Sequence, residues 1–254
     1  MKLARDTWLI FQRQMTLMLR SRTWLVFGLA QPVTYLLLFA PFLKKALAPT
    51  GAHTYADAYR IYVPGLLVVM CLYGGLFSGF SLLADLRAGV IERARVTPIS
   101  RPALLLGRAL REVVSYLVQA VVITLLAVPF GLTVYIGDLL LAFLLLALIA
   151  LMTTTISYDV CLLVRNEGAL GPMINTVGQP VALLAGVLLP LALAPGWLQG
   201  VAHWNPFFWA TNGMRALFDG HPGDPSVWQG TLLVAALAAV TIVWSARLFS
   251  RTVR

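Results

Sequence analysis

The sequence predicts an all-α polytopic membrane protein, and three observations lead to this fold class. Of its 254 residues only 11% are charged and 59% are hydrophobic, whereas soluble domains carry about 25% charged residues. Six stretches without Asp, Glu, Lys or Arg are long enough to cross a bilayer. The Lys and Arg residues between these stretches are distributed asymmetrically, as in multi-pass membrane proteins. Barrel strands do not explain such stretches, because they alternate apolar and polar residues.

The six predicted transmembrane helices are residues 24–43, 61–84, 113–130, 139–158, 170–193 and 227–246. About 20 helical residues cover a hydrocarbon core of ~30 Å, so each stretch is adequate. With the N-terminus inside the cell, 15 of the 19 Lys and Arg residues lie on one side of the membrane. The positive-inside rule therefore predicts that both termini are cytoplasmic.

An amphipathic helix is predicted for residues 1–22, before the first transmembrane helix. Basic and polar side chains, among them Arg5 and Arg13, gather on one side of its helical wheel, and apolar ones, among them Trp8, spread over the other. This pattern is typical of a helix at the membrane interface. The helix either anchors the topology or also contacts a cytoplasmic partner. No small-residue cleavage site precedes the first apolar stretch, so we do not expect a cleaved signal peptide.

A charged cytoplasmic segment, residues 85–112, separates the second and third predicted helices. Within it the connector, residues 91–101, is rich in Arg. Pro98 ends one helical piece, and Ser100 followed by Pro102 starts the next, which predicts a compact, rigid element. Such an element can transmit a displacement from a soluble partner. The other interpretation is that its arginines only fix the topology.

Six connector residues are candidates for coupling to that partner: Glu92, Arg93, Arg95, Thr97, Pro98 and Arg101. Glu92 and Arg95 are three residues apart and can pair on one helical turn. Arg93 then points elsewhere and is free to meet an acidic surface.

Few polar residues interrupt the predicted transmembrane helices. Gln31 and Pro32 lie in the first, and Asn175 and Gln179 lie one turn apart in the fifth. All four are candidates for lining a translocation pathway. For the fifth helix an interhelical hydrogen bond is an equal interpretation. The second helix carries a small-residue edge that predicts close helix contact, formed by Gly65, Gly74, Gly75 and Gly79.

The segment of residues 194–226 is apolar but interrupted by Gly, Pro and Asn, which predicts a re-entrant outer hairpin before the last transmembrane helix. Asn205 followed by Pro206 is typical of a helix N-cap and first turn, so we expect a short helix there. Trp197 is expected at the membrane interface, and Arg215 lies later in the same segment. An ordinary aromatic belt is the other interpretation.

The sequence does not predict an enzyme. It has no Gly-x-x-x-x-Gly-Lys-Ser/Thr motif, so we expect ATP to be bound elsewhere. It offers no catalytic constellation and no metal-ligand cluster. Cys71 and Cys161 are predicted to be small apolar core residues. The net charge of +9 is assigned to topology and not to nucleic-acid binding.

The amphipathic helix, the charged connector and the interrupted hairpin together resemble the permease subunits of ABC-2 type transporters, which include bacterial drug and antibiotic exporters of the daunorubicin-resistance kind. The most specific likeness is the stretch Glu92-Arg93-Ala94-Arg95-Val96-Thr97-Pro98-Ile99-Ser100-Arg101. The pair Asn205-Pro206, followed by aromatic residues and Arg215, is similar to the family's end signature. The likeness extends over essentially the whole chain, which we treat as a single transmembrane domain of residues 1–254.

This resemblance implies a subunit with six transmembrane helices in an exporter of the bacterial inner (cytoplasmic) membrane. Antibiotic resistance is one role of such exporters. The subunit would form a dimer, with itself or with a paralogous permease, in the lipid bilayer. A separate ABC ATPase subunit would bind ATP and Mg, and the connector would dock into it. The implied cargo is an amphipathic drug, an antibiotic, a lipid-like molecule or a glycan.

Three other function classes remain open. An ion-coupled secondary transporter needs internal repeats and intramembrane carboxylates, and the predicted helices provide neither. A membrane-embedded enzyme needs paired His, Asp or Glu residues within those helices. A non-transporting membrane assembly subunit is the third class. A neighbouring reading frame for an ATPase discriminates the exporter from all three.

Overall fold

The structure is a computed structural model that describes residues 2–21, 28, 30, 31, 33–38, 54–90, 100–187, 191 and 194–252. Every regular element with defined bounds in these ranges is helical, which confirms the all-α class. The helices are α1 (Lys2–Arg20), α2 (Tyr55–Arg87), α3 (Arg101–Ala127), α4 (Ile136–Val164), α5 (Glu167–Leu184), α6 (Gly196–Ala202), α7 (Pro206–Phe218) and α8 (Pro225–Thr252), and a 3₁₀ turn at Val128–Phe130 follows α3.

Four helices of the described part are long and apolar enough to cross a membrane: Tyr55–Arg87, Pro102–Phe130, Ile136–Val164 and Pro225–Phe249. They contain the second, third, fourth and sixth predicted transmembrane helices. Local sequence explains where α2 begins. The Thr54 hydroxyl accepts a hydrogen bond from the Asp57 amide, and the Asp57 carboxylate accepts one from the Thr54 amide. This capping box satisfies two amides that the first helical turn leaves unpaired.

The other two predicted transmembrane helices have different outcomes. Most of residues 24–43 lies outside the described residues, although residues 33–38 are helical. The fifth helix is shorter than predicted, because α5 ends at Leu184 and not at residue 193. Gly186 follows with φ +66°. Only glycine adopts this left-handed conformation without strain, and it commonly terminates helices.

Glycines allow α2 and α4 to pack at close range. A Cβ atom at Gly75 would collide with Thr153, and one at Gly79 would collide with Ser157. The same contact carries interhelical hydrogen bonds: Thr153 Oγ1 donates to the Cys71 carbonyl at 3.0 Å, and the Gly79 amide donates to Ser157 Oγ at 2.9 Å. The predicted small-residue edge of the second helix is therefore confirmed as a helix contact.

Helix α8 completes the bundle by packing against α4 and α7. Ser245 Oγ donates to the Asp159 carboxylate at 2.6 Å. At the other end of α8, a Cβ atom at Gly230 would lie 2.7 Å from the Trp209 carbonyl oxygen, so α7 and α8 touch through their backbones. The bundle thus has two ends, which we name by their residues. The charged end carries Asp85, Arg108, Arg111 and Glu112, and the hairpin end carries α6, α7 and the last turn of α5.

Candidate functional site

Most of the predicted coupling residues lie outside the described part of the chain. Glu92, Arg93, Arg95, Thr97 and Pro98 belong to this group. Arg101 is the first residue of α3, and its side chain is also outside the described set. Ser100 is described and precedes α3 with an extended backbone, and Pro102 occupies the first turn, as predicted. The connector itself therefore stays a prediction, but the helices on both sides of it are defined.

Helix α1 packs against the first half of α3. The Asp6 carboxylate accepts a hydrogen bond from the Ser100 amide at 3.1 Å. Further along, a Cβ atom at Gly107 would lie 2.8 Å from the Ile10 side chain. The two helices thus contact each other from the end of the connector onward. Sequence reasoning missed the Asp6 contact, because it joins residues 94 positions apart.

The face of α1 that points away from α3 is exposed. It includes Arg5, Trp8 and Arg13, the three residues predicted for the interfacial surface. Trp8 is 55% exposed, and its ring lies 5.2 Å from the ring of Phe11, measured between centroids. Apolar rings next to free basic side chains suit either a lipid headgroup layer or a partner protein.

Two ion pairs define the charged end. Arg108 of α3 pairs with Asp85 of α2, and Arg111 pairs with its neighbour Glu112. Arg108 and Glu112 are each only 8% exposed. The Asp85–Arg108 pair joins the two helices that precede and follow the connector. In the sequence, Arg108 and Arg111 contribute only to the positive charge bias, and no local pattern indicates their pairing.

A third ion pair at the charged end is exposed. Arg87 in the last turn of α2 pairs with Glu167 in the first turn of α5, and both side chains are more than half exposed. The Asn166 side chain caps the same helix by accepting from the Gly168 amide at 3.0 Å. This exposed pair adds to a buried apolar contact between the same two helices, in which Leu170 of α5 clusters with Leu82 and Leu83 of α2.

The polar pathway candidates of α5 do not pack inside the subunit. Asn175 and Gln179 are both exposed, and Asn175 Nδ2 donates to the Gly171 carbonyl of its own helix at 3.1 Å. Asn175 thus makes a local hydrogen bond and not an interhelical one within the subunit. Gln31 is exposed as well, and Pro32 lies outside the described residues.

The predicted short helix of the outer hairpin is present as α7. Asn205 Oδ1 accepts from the Phe207 amide at 3.0 Å, and Pro206 occupies the first helical position. Asn205 Nδ2 in addition donates to the Val181 carbonyl of α5 at 2.7 Å. Trp197, on the short helix α6, is 72% exposed. The membrane position of this hairpin stays a prediction.

Arg215 on α7 is the central residue of the hairpin end. Its Nη2 donates to the Gly186 carbonyl at 2.6 Å and lies 3.4 Å from the Val187 carbonyl oxygen. Its Nε donates to the Ile61 carbonyl of α2 at 3.4 Å. Partial burial lowers the pKa of Arg215 to about 10, so the side chain stays protonated at neutral pH.

Two observations concern the acidic and metal-binding side chains of the described residues. Among the described residues, no group of three or more His, Cys, Asp or Glu side chains could hold a metal ion. Asp224, just before α8, is exposed and accepts a hydrogen bond from the Ser226 amide at 2.8 Å. Hydrogen bonds from Ser226 lower the pKa of this carboxyl group, as expected for a helix cap. Asp224 therefore caps the start of α8.

Comparison with known proteins gives one family. The model of the ABC-2 type transporter family matches residues 5–218. A putative transport permease ycf38 of Cyanophora paradoxa is 29% identical over 197 residues, which cover 76% of this chain and 67% of the relative. The daunorubicin resistance ABC transporter permease protein DrrB1 of Streptomyces coeruleorubidus is 25% identical over 220 residues, covering 86% of this chain and 76% of the relative.

The family match covers more than half of the chain and includes α1 to α7. A membrane transporter family agrees with the four helices that are long and apolar enough to cross a membrane, and it is the family that the sequence resembles. The chain is therefore a multi-pass membrane transporter subunit, of the kind that normally pairs with an ABC ATPase and is not itself the ATPase. This protein belongs to the ABC-2 type transporter family.

Proposed function

We propose that the protein is the permease subunit of an ATP-driven exporter in the bacterial cytoplasmic membrane, with both termini in the cytoplasm. The observation that carries this proposal is the family match over residues 5–218 in a chain that lacks a phosphate-binding loop. ATP and Mg are bound by the partner ATPase. The charged end then faces the cytoplasm, where the ATPase lies, and the hairpin end faces outward.

The connector is the docking element for the ATPase. Residues 91–101 lie between α2 and α3, whose adjacent ends the Asp85–Arg108 ion pair joins. A displacement of the connector therefore moves both helices together. Arg93 is the side chain that meets the acidic surface of the partner. Arg5, Trp8 and Arg13 of α1, the helix that contacts Ser100, add a second contact surface.

The functional unit is a dimer, formed with a second copy or with a paralogous permease. Asn175 and Gln179 project from α5 out of the subunit. Uncompensated amide side chains are unfavourable in hydrocarbon, so these two line a pathway between subunits or pair across it. Several other exposed side chains of α5 are apolar, among them Met173, Val177 and Leu183, which favours an amphipathic drug, an antibiotic or a lipid-like molecule as cargo. A glycan is the further cargo that the resemblance implies. DrrB1 is by its name a daunorubicin resistance protein.

Coupling is tested by purifying the permease with its cognate ATPase in lipid nanodiscs. We expect the double variant Glu92→Ala/Arg93→Ala to lose at least tenfold of the permease-stimulated ATP hydrolysis. Lys44→Ala, which changes a basic residue predicted for the opposite side, is the matched control and keeps normal hydrolysis. Normal stimulation in the Glu92→Ala/Arg93→Ala variant overturns the assignment of the connector.

The alternatives are tested with the same permease–ATPase complex, reconstituted into closed vesicles in place of nanodiscs. An ion-coupled transporter would move daunorubicin into inverted vesicles along an ion gradient without ATP, whereas the exporter requires ATP hydrolysis. A non-transporting assembly subunit would bind the ATPase but move no cargo under either condition. ATP-dependent uptake that a proton or sodium gradient does not replace supports the exporter.

A further inference from the structure

The end of α5 lacks the partners that a continuing helix would provide. The helix stops at Leu184, although the apolar sequence continues, and Gly186 turns the chain with φ +66°. The last four carbonyl groups of a helix have no partner within it. In an apolar environment such carbonyls need donors from elsewhere. Backbone amides satisfy part of this end, since the Ala185 amide donates to the Val181 carbonyl and the Gly186 amide donates to the Leu183 carbonyl. The carbonyls of Gly186 and Val187, just beyond the helix, receive their donor from α7.

Arg215 is the residue that donates to the carbonyls just beyond α5. Its guanidinium contacts the Gly186 and Val187 carbonyls next to α5 and the Ile61 carbonyl of α2. One residue of α7 thus joins two other helices. Asn205 assists through its hydrogen bond to the Val181 carbonyl. A cation is favoured at this position, because a helix C-terminus carries partial negative charge.

Gly65 shows how closely α5 and α2 approach at this point. A Cβ atom added to Gly65 would collide with the Val187 carbonyl oxygen. Val187 is only 2% exposed, so the backbone after α5 is enclosed between α2 and the Arg215 side chain. Residue 65 also follows Pro64, which interrupts the hydrogen-bond ladder of α2. The contact therefore lies where both helices deviate from regular structure.

The chemistry of this contact favours reversibility. None of the ion pairs formed by the described residues includes Arg215. Its hydrogen-bond partners are neutral carbonyl groups, and the Asp219 carboxylate attracts it only through space. Water can replace such hydrogen bonds, whereas separating a buried ion pair leaves two unpaired charges. We propose that Arg215 is the positioning residue that holds the end of α5 against α2, and that opening of the hairpin end requires release of this contact.

This inference rests on the proposed function in one respect, namely that release of the Arg215 contact opens the outward-facing end of a transport pathway. The contact itself is testable without an ATPase or a cargo. A thiol is introduced by Val187→Cys, and its rate of labelling by a maleimide is measured on the purified subunit in nanodiscs. Peptide mass spectrometry separates this thiol from Cys71 and Cys161, which are both buried and serve as internal controls for folding.

We expect the introduced thiol to react at least tenfold faster when Arg215→Gln is added, with Cys71 and Cys161 still protected. Arg215→Lys should give an intermediate rate, because a lysine keeps the charge but cannot reach two helices with a planar group. Gly65→Ala should accelerate labelling without changing Arg215, since it pushes the Val187 backbone away.

Two outcomes overturn the proposal. Equal labelling rates with Arg215 and with Arg215→Gln would show that the contact does not hold the end of α5. Faster labelling of all three thiols would make Arg215 a residue of general stability and not a positioning residue. If Arg215→Gln does not fold, Arg215→Lys decides the matter, because a labelling rate equal to that with Arg215 would overturn the proposal. Failure of these tests leaves the ATPase-coupling experiment unaffected, so the two proposals fail separately.

Discussion

The two ends of this helical bundle are held together by different chemistry. At the charged end, side chains of opposite sign pair with each other, as in Arg108 with Asp85. At the hairpin end, one guanidinium binds backbone carbonyls of two helices. These sites lie about 36 Å apart along α2, the length of 24 helical residues at 1.5 Å each. The comparison indicates that a transporter subunit can combine a firmly joined end with an end whose contacts water can replace.

The largest effect is expected from breaking the Asp85–Arg108 pair at one side only, because Arg108 is nearly buried and Asp85 is partly buried. Arg108→Leu leaves the Asp85 carboxylate without its partner, and Asp85→Leu leaves Arg108 charged and nearly buried. Loss of one partner from a buried pair costs about 3–5 kcal/mol, so we expect Asp85→Leu to lower the free energy of unfolding by about 3 kcal/mol, in thermal unfolding of the purified subunit.

The matched control is the double variant Asp85→Leu/Arg108→Leu. Replacing both partners by apolar residues is often neutral, so stability should return to within about 1 kcal/mol of the native protein. A double variant as unstable as Asp85→Leu alone would contradict the view that the unpaired charge is responsible.

A smaller effect is expected at the hairpin end, where Asn205 has two functions that substitutions can separate. Asn205→Ala removes both the N-cap of α7 and the hydrogen bond to Val181, and should cost about 1–2 kcal/mol in the same unfolding measurement. Asn205→Asp keeps the capping oxygen but loses the Nδ2 donor. We expect it to preserve α7 while increasing amide hydrogen exchange after Val181. Unchanged exchange there would remove Asn205 from the group that holds α5.

The smallest effect is expected for the exposed pair of Arg87 and Glu167. Exposed ion pairs contribute about 0–1 kcal/mol and are screened by salt. Arg87→Ala should therefore change the melting temperature very little at low ionic strength and not at all in 1 M salt. A loss as large as that of Asp85→Leu would mean that the link between α2 and α5 matters as much as the link between α2 and α3.

The sequence predicted those features that depend on neighbouring residues. The pair Asn205-Pro206 predicted the start of α7. The closely spaced glycines of α2 predicted that this helix packs closely against another helix, which is α4. Both signals work because capping and close approach have strict local requirements. The helical class and four of the transmembrane helices followed from uncharged length alone.

Features that depend on distant residues were not predicted. The end of α5 lies inside an uncharged apolar stretch, and hydropathy does not distinguish a helix from a turn there. Arg108 is 23 residues from Asp85, and Arg215 is 154 residues from Ile61. No local pattern connects such pairs. The positive-inside rule already explains a basic residue at position 108, so the sequence gives no reason to expect an ion pair there.

In the proposed mechanism the hairpin end opens while the charged end stays together. Hydrogen exchange by mass spectrometry tests this claim most directly, on the permease with its cognate ATPase, with and without trapped nucleotide. We predict that nucleotide raises exchange of the amides at residues 185–187 and leaves residues 105–115 protected. Increased exchange at residues 105–115, with residues 185–187 unchanged, would contradict it.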